Sequence, residues 1–187
     1  MIKTRHKLIA TGLSLLNLLS LNLALNQNAI AQLSNFGLTA TQIQQLNSLR
    51  VKIAVPTYTP PGFQVTSILI QPCPDRATRC RFGPQYTITY QGPNNSCFAI
   101  EAVGGGIGGV DLASKLPVNS PVFGKSFLNY GTGPGNSSPT MFSDWLQGPE
   151  LFYRFAGEGA TDKLANCRNI NPQEAVTVTE SLRYLKP

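Results

Sequence analysis

At 187 residues, with 42% hydrophobic and 13% charged side chains, the chain holds enough apolar material for a packed core, which excludes a disordered protein. Its formal net charge is +6. The Lys and Arg are scattered, with Arg76, Arg79 and Arg81 as the one cluster, so composition gives no support to nucleic-acid binding.

Lys3, Arg5 and Lys7 precede a leucine-rich run from Leu8 to Leu25, which ends at Ala29-Ile30-Ala31 before Gln32. A positive start, an apolar middle and small residues at the exit are the parts of a cleavable signal peptide of bacterial type, here residues 1–31. Asn17, Asn22 and Asn26 interrupt the run, which argues against a retained span of roughly 20 apolar residues. The mature protein is expected to begin at about Gln32, outside the cytoplasm (periplasmic or secreted), with no stable membrane span. Cleavage removes three basic residues and no acid, leaving twelve against nine and a net charge of +3. It also removes His6, the only histidine, and with it Ser-His-Asp or Cys-His catalysis and His-ligated metals.

About 155 residues remain, a length that suits one domain over 32–187. Thr39-Ala-Thr-Gln42 fits a capping box, and Ile43, Leu46 and Leu49 mark one face of a short helix to about Arg50. Residues 51–55 read as a short strand, and Pro56, Pro60, Pro61 and Gly62 force an irregular turn. Strands are then expected over 63–70, 85–90 and 97–103. Tyr86, Ile88 and Tyr90 share one face of the second, and a hairpin connection at 92–96 leads to the third. Two further strands are expected at 126–130 and 151–155, separated by an exposed, mobile Gly/Pro/Ser-rich loop from Gly131 to Thr140. Asn171 as N-cap, Pro172 at the first position and Glu174 in the first turn open a closing helix. Its apolar stripe is Ala175, Val178, Leu182 and Leu185, with Arg183 and Lys186 in the last turn. The expected class is α+β: an antiparallel sheet with an N-terminal and a C-terminal helix packed on one face.

Cys73, Cys80, Cys97 and Cys167 all remain after cleavage, and an even count in an exported chain points to two disulfides. Three pairings are possible. The favoured one closes the loop PCPDRATRC through Cys73–Cys80 and joins a central strand to the approach of the last helix through Cys97–Cys167. With no CxxC pair and no mature histidine, no zinc site, metal or other cofactor is expected.

The run Gly104-Gly105-Gly106-Ile107-Gly108-Gly109 follows a strand but lacks the GK[ST] of a phosphate loop, so it reads as a turn or strand edge, or as a surface a peptide or glycan approaches. Glu101, Asp111, Asp144, Glu150 and Glu158 offer paired carboxylates to a His-free glycosidase, provided two of them face each other across a cleft. Ser96, Ser126 and Ser143 have no GxSxG elbow and no histidine, which excludes a serine hydrolase. Asn94-Asn95-Ser96 and Asn136-Ser137-Ser138 are sequons that a bacterial host leaves unused. Tyr130, Trp145 and Tyr153, with Phe152, are candidates for a sugar-stacking surface, set against the ordinary role of strand aromatics in a core.

Several of these features occur in an order that resembles a bacterial exported domain of unknown function, the DUF4367-like group. They are the entry Pro60-Pro61-Gly62-Phe63, the Tyr-rich strand 86–90 ahead of Cys97-Phe98-Ala99-Ile100-Glu101, Trp145 ahead of the strand 151–155, and a closing helix with Glu174-Ala175 and Ser181-Leu182. The resemblance covers most of the mature chain, although the Gly-rich run and the four Cys depart from the family's pattern. It implies an α+β envelope domain and brings no catalytic residues. The function expected is that of an exported, non-enzymatic protein binding a protein, peptide or polysaccharide partner. A His-free hydrolase of a wall or extracellular glycan is the alternative, and a purely structural protein is a third reading.

Overall fold

The structure is a computed structural model that describes residues 36–73, 80, 82–109, 111–133, 139–161 and 164–186. The expected signal peptide, the arginine cluster and the second sequon lie outside the described residues.

Thr39 starts helix α1 (Ala40–Asn47) with a reciprocal capping box: the Gln42 amide donates to Thr39 Oγ1 (3.2 Å), and the Thr39 amide donates to Gln42 Oε1 (2.8 Å). The helix ends at Asn47 with Ser48 as its cap, three residues short of the end near Arg50 that its pattern predicts, and Arg50 takes a positive φ of 55°. Leu49 nevertheless remains buried. The strands then run β1 (Ala54–Pro56), β2 (Gln64–Gln71), β3 (Gln85–Gln91), β4 (Cys97–Val103), β5 (Ser114–Ser120), β6 (Gly124–Thr132), β7 (Pro139–Ser143), β8 (Leu146–Gln147) and β9 (Phe152–Ala156). Helix α2 (Pro172–Glu180) follows, and β10 (Leu182–Tyr184) comes last.

The large sheet is antiparallel, with order β2-β3-β4-β9-β7-β6-β5 and β8 added beside β9, so the chain is an α+β protein. A second, two-stranded sheet pairs β1 with β10, Ala54 opposite Tyr184. Strand alternation sorts the side chains onto two faces. On the inner face Tyr86, Ile88 and Tyr90 of β3 meet Phe98, Ile100 and Ala102 of β4, Tyr153 and Phe155 of β9, and Leu128 of β6 in one core. Both helices feed this core, through Ile43 and Leu46 and through Ala175 and Val178. Each fully buried Phe or Ile here contributes about 1.5–3 kcal/mol of transfer free energy. On the outer face a smaller cluster of Cys97, Ala99, Ala156 and Leu164 forms beside the Cys97–Cys167 disulfide. Cys73–Cys80 is the other bond, so both favoured pairings are present, each with Cα atoms 5.7 Å apart. Two disulfides fit an oxidising, extracytoplasmic setting, and no helix among the described residues is long and apolar enough to cross a membrane.

Three expectations need correction. The closing helix ends at Glu180, because Ser181 caps it and residues 182–184 turn extended to pair with β1. Arg183 and Lys186 are therefore not in a last helical turn. The loop expected over Gly131–Thr140 is narrower: Gly131 and Thr132 belong to β6, Pro139 and Thr140 to β7, and only 134–138 lie outside the described residues. Strand β5 was not anticipated, because Pro117 reads as a breaker. As an edge strand β5 accommodates it, and the neighbouring Asn119 amide donates to Glu180 Oε1 (2.7 Å).

Candidate functional site

The outer face of the sheet gathers most of the chemistry the sequence offers. Glu101 lies directly across from Arg154 in the β4–β9 register, and Arg154 Nε donates to Glu101 Oε2 at 2.7 Å. Both side chains are largely sequestered, at 13% and 18% exposure, so the pair is held in one geometry more firmly than a surface ion pair. The guanidinium then lies 4.4 Å from the centroid of the Trp145 ring and 5.9 Å from that of Phe142. That is the stacking geometry of a cation on an aromatic face. Glu101 thus orients Arg154, and Arg154 backs Trp145.

The glycine run supplies the opposite wall. Gly104 approaches the 82–83 backbone so closely that an added Cβ would lie 2.8 Å from the Gly83 Cα. Gly106, at φ +70°, packs under the Phe82 ring, where a Cβ would collide with it. These two glycines hold the loop down. Gly108 and Gly109 face open space, and the Gly108 carbonyl accepts from Trp145 Nε1 at 2.8 Å. A cleft of about 340 Å³ opens between loop and sheet, lined by Gly108, Gly109, Asp111, Asn129, Asp144, Trp145 and Arg154 among others.

Buried Asn129 donates through Nδ2 to Asp144 Oδ1 (2.8 Å), which fixes that carboxylate while leaving it exposed to the cleft. Asp111 accepts from Lys115 Nζ at 2.8 Å. That hydrogen bond, together with the ammonium charge, lowers the Asp111 pKa below the usual carboxylate range and raises that of Lys115. A glycosidase acid needs the reverse, a carboxyl raised towards neutrality. Asp111 and Asp144 do share the cleft, but Asp111 is tuned to remain ionised and Glu101 is taken up by Arg154. Glu150 lies elsewhere, accepting from the Lys52 amide (2.6 Å) in a second pocket with Asn47, Arg50 and Leu185. Glu158 engages Asn169 through its backbone amide and does not line the cleft.

Of the four aromatic candidates only Trp145 reaches the cleft, and Phe152 does not line it. Tyr153 is fully buried, with its hydroxyl donating to the Lys52 carbonyl, and Tyr130 packs against the inner core. Both belong to the inner face by alternation, which outweighs their capacity to stack on a ligand. Sequence reasoning missed Arg154 and Asn129. The available signal was a single charge inside the apolar run LFYRF, in a strand neighbouring one whose outward residue is Glu101. Among the described residues, no group of three or more His, Cys, Asp or Glu side chains is placed to hold a metal ion. No family model, curated protein or solved structure matches the chain.

Proposed function

We propose that this chain is an exported, non-catalytic protein of the bacterial envelope or exterior that binds a polysaccharide through the Trp145 cleft. One observation carries the reading: the only tryptophan of the chain stands half-buried in the cleft wall, backed by Arg154, among exposed planar hydrogen-bonding groups. A sugar ring has an apolar C–H face rimmed by hydroxyls. It suits an indole for stacking, and Asp144, Asp111 and the free guanidinium N–H groups of Arg154 for hydroxyl contacts. The reading of residues 1–31 as a signal peptide and the two disulfides agree with work outside the cytoplasm. The resemblance to DUF4367-like exported domains, which brings no catalytic residues, is in keeping with a binding role.

The experiment has two arms. Intact mass of the exported protein should be lower by residues 1–31 and by four hydrogens. An unprocessed mass or four free thiols would overturn the export assignment. Retention on cellulose, chitin, mannan, alginate and purified peptidoglycan should find at least one polysaccharide that holds the wild type and releases Trp145→Ala. Because Trp145 is the sole tryptophan, its fluorescence reports on the cleft directly, and the retained polysaccharide should shift it. Retention on none of the five, or retention indifferent to Trp145, overturns the binding assignment.

A further inference from the structure

An exposed aromatic ring lies outside the cleft, on the strand that supplies its Asn129. Phe127 and Asn129 alternate onto the same outer face of β6, about 7 Å apart along the strand. Phe127 is 48% exposed, the most exposed large hydrophobic side chain among the described residues. Pro117 of β5 lies directly opposite it in the register, and Lys115 lies opposite Asn129. The Asp144 amide donates to the Phe127 carbonyl at 2.8 Å, so the Phe127 end of β6 is fastened to the segment that carries Trp145. The outer face therefore presents an ordered series: the indole of Trp145, then the polar Asp144 and Asn129, then the ring of Phe127 against Pro117. Nearly half an aromatic ring left in water on a regular strand costs transfer free energy that a stacked ligand recovers.

We propose that the site binds an internal stretch of a linear polysaccharide, with one sugar on Trp145, hydroxyls of the chain on Asp144, which Asn129 holds in place, and a further sugar on Phe127. This inference rests on the polysaccharide reading of the Trp145 cleft and specifies its ligand as an extended chain. A monosaccharide or a chain end fills the Trp145 cleft alone. A longer oligomer also covers Phe127.

The test is fluorescence or calorimetric titration of the full mature protein with cello-, chito-, manno-, and alginate oligosaccharides and peptidoglycan glycan-strand fragments, from disaccharide to hexasaccharide. In the series that matches the retained polysaccharide, affinity should rise by about tenfold or more once the oligomer is long enough to reach Phe127. Phe127→Ala should abolish that rise and leave disaccharide affinity unchanged, while Phe127→Trp restores it. Trp145→Ala should weaken every length. The Phe127 ring is exposed, so these variants leave the core intact. Equal affinity for all lengths, or a length dependence that survives Phe127→Ala, overturns the inference while the polysaccharide reading stands. A loss of the polysaccharide reading itself shows as no retention of the wild type. A wild-type dimer in sedimentation that Phe127→Ala dissolves would assign the patch to a second copy and overturn the inference as well.

Discussion

Tyr86 and Tyr90 sit four residues apart on β3, on the same face, and both are buried to within 2%. Removing their hydroxyls should nevertheless have opposite consequences. Tyr86 Oη accepts from the Ala54 amide (2.8 Å) and donates to the Ala54 carbonyl (2.9 Å), so one hydroxyl satisfies both backbone groups of a fully buried residue in β1. Tyr90 Oη has no hydrogen-bond partner among the described residues. In Tyr86→Phe two hydrogen bonds disappear and a buried N–H and C=O are stranded. At about 1–3 kcal/mol for each unsatisfied group, partly offset by relaxation, the loss should be about 2–4 kcal/mol. In Tyr90→Phe the hydroxyl leaves a site where it was already unsatisfied, so stability should be unchanged or rise by up to about 1 kcal/mol. Urea unfolding of the oxidised protein, analysed for midpoint at constant slope, separates the two. Equal losses for the two variants, or a larger loss for Tyr90→Phe, would refute the claim that the Tyr86 hydroxyl anchors β1 to the large sheet.

Other consequences follow from the same geometry. Burial raises the pKa of both Tyr86 and Tyr90, so the folded state favours their neutral forms. Their contribution is fully present below the unfolded value of about 10 and is lost as pH rises towards the folded values, so unfolding midpoints should hold to about pH 9 and fall beyond pH 10. Tyr90→Phe should make that fall shallower. Glu101→Gln removes the charge that orients Arg154 and should cost about 1–3 kcal/mol, with a change in Trp145 fluorescence as the guanidinium leaves the ring; an unaltered spectrum would disconnect Glu101 from the cleft. Replacing Cys97 and Cys167 together by Ser opens the longer loop and should cost about 4 kcal/mol, against about 2.5 kcal/mol for Cys73 and Cys80, by thermal or urea unfolding. Gly106→Ala should lower stability by at least about 1 kcal/mol and weaken binding, while Gly105→Ala, open to solvent and outside the cleft lining, should do neither.

Much of the fold was legible where local chemistry and tertiary burial agree. Thr39 and Asn171 cap helices at the expected positions, and β3 and β4 keep the expected bounds to within a residue. The misses share a cause. Pro117 in β5 and Pro139 in β7 mark breaks locally but are tolerated where the sheet supplies partners. Leu182 carries a helical period, yet burying it opposite Pro56 in β10 prevails over one more turn. The site was half legible. Trp145, Asp111, Asp144 and the glycine run were each visible as residue types, but only the register that sets Glu101 beside Arg154 brings them to one cleft. Alternation alone would have removed Tyr153 from the ligand candidates, had its strand been aligned with Leu151, Tyr153 and Phe155 facing inward.

The pairing of β1 with β10 has a consequence for the order in which the chain folds. Ala54 finds its strand partner in Tyr184, near the far end of the described chain. A polypeptide that emerges N-terminus first therefore carries β1, and the Ala54 groups that Tyr86 secures, without a strand neighbour until residues 182–184 follow. Long-range closure of this kind is slow and cooperative. It ties completion of the fold to the last strand, so β1 stays unpaired until β10 is free to meet it.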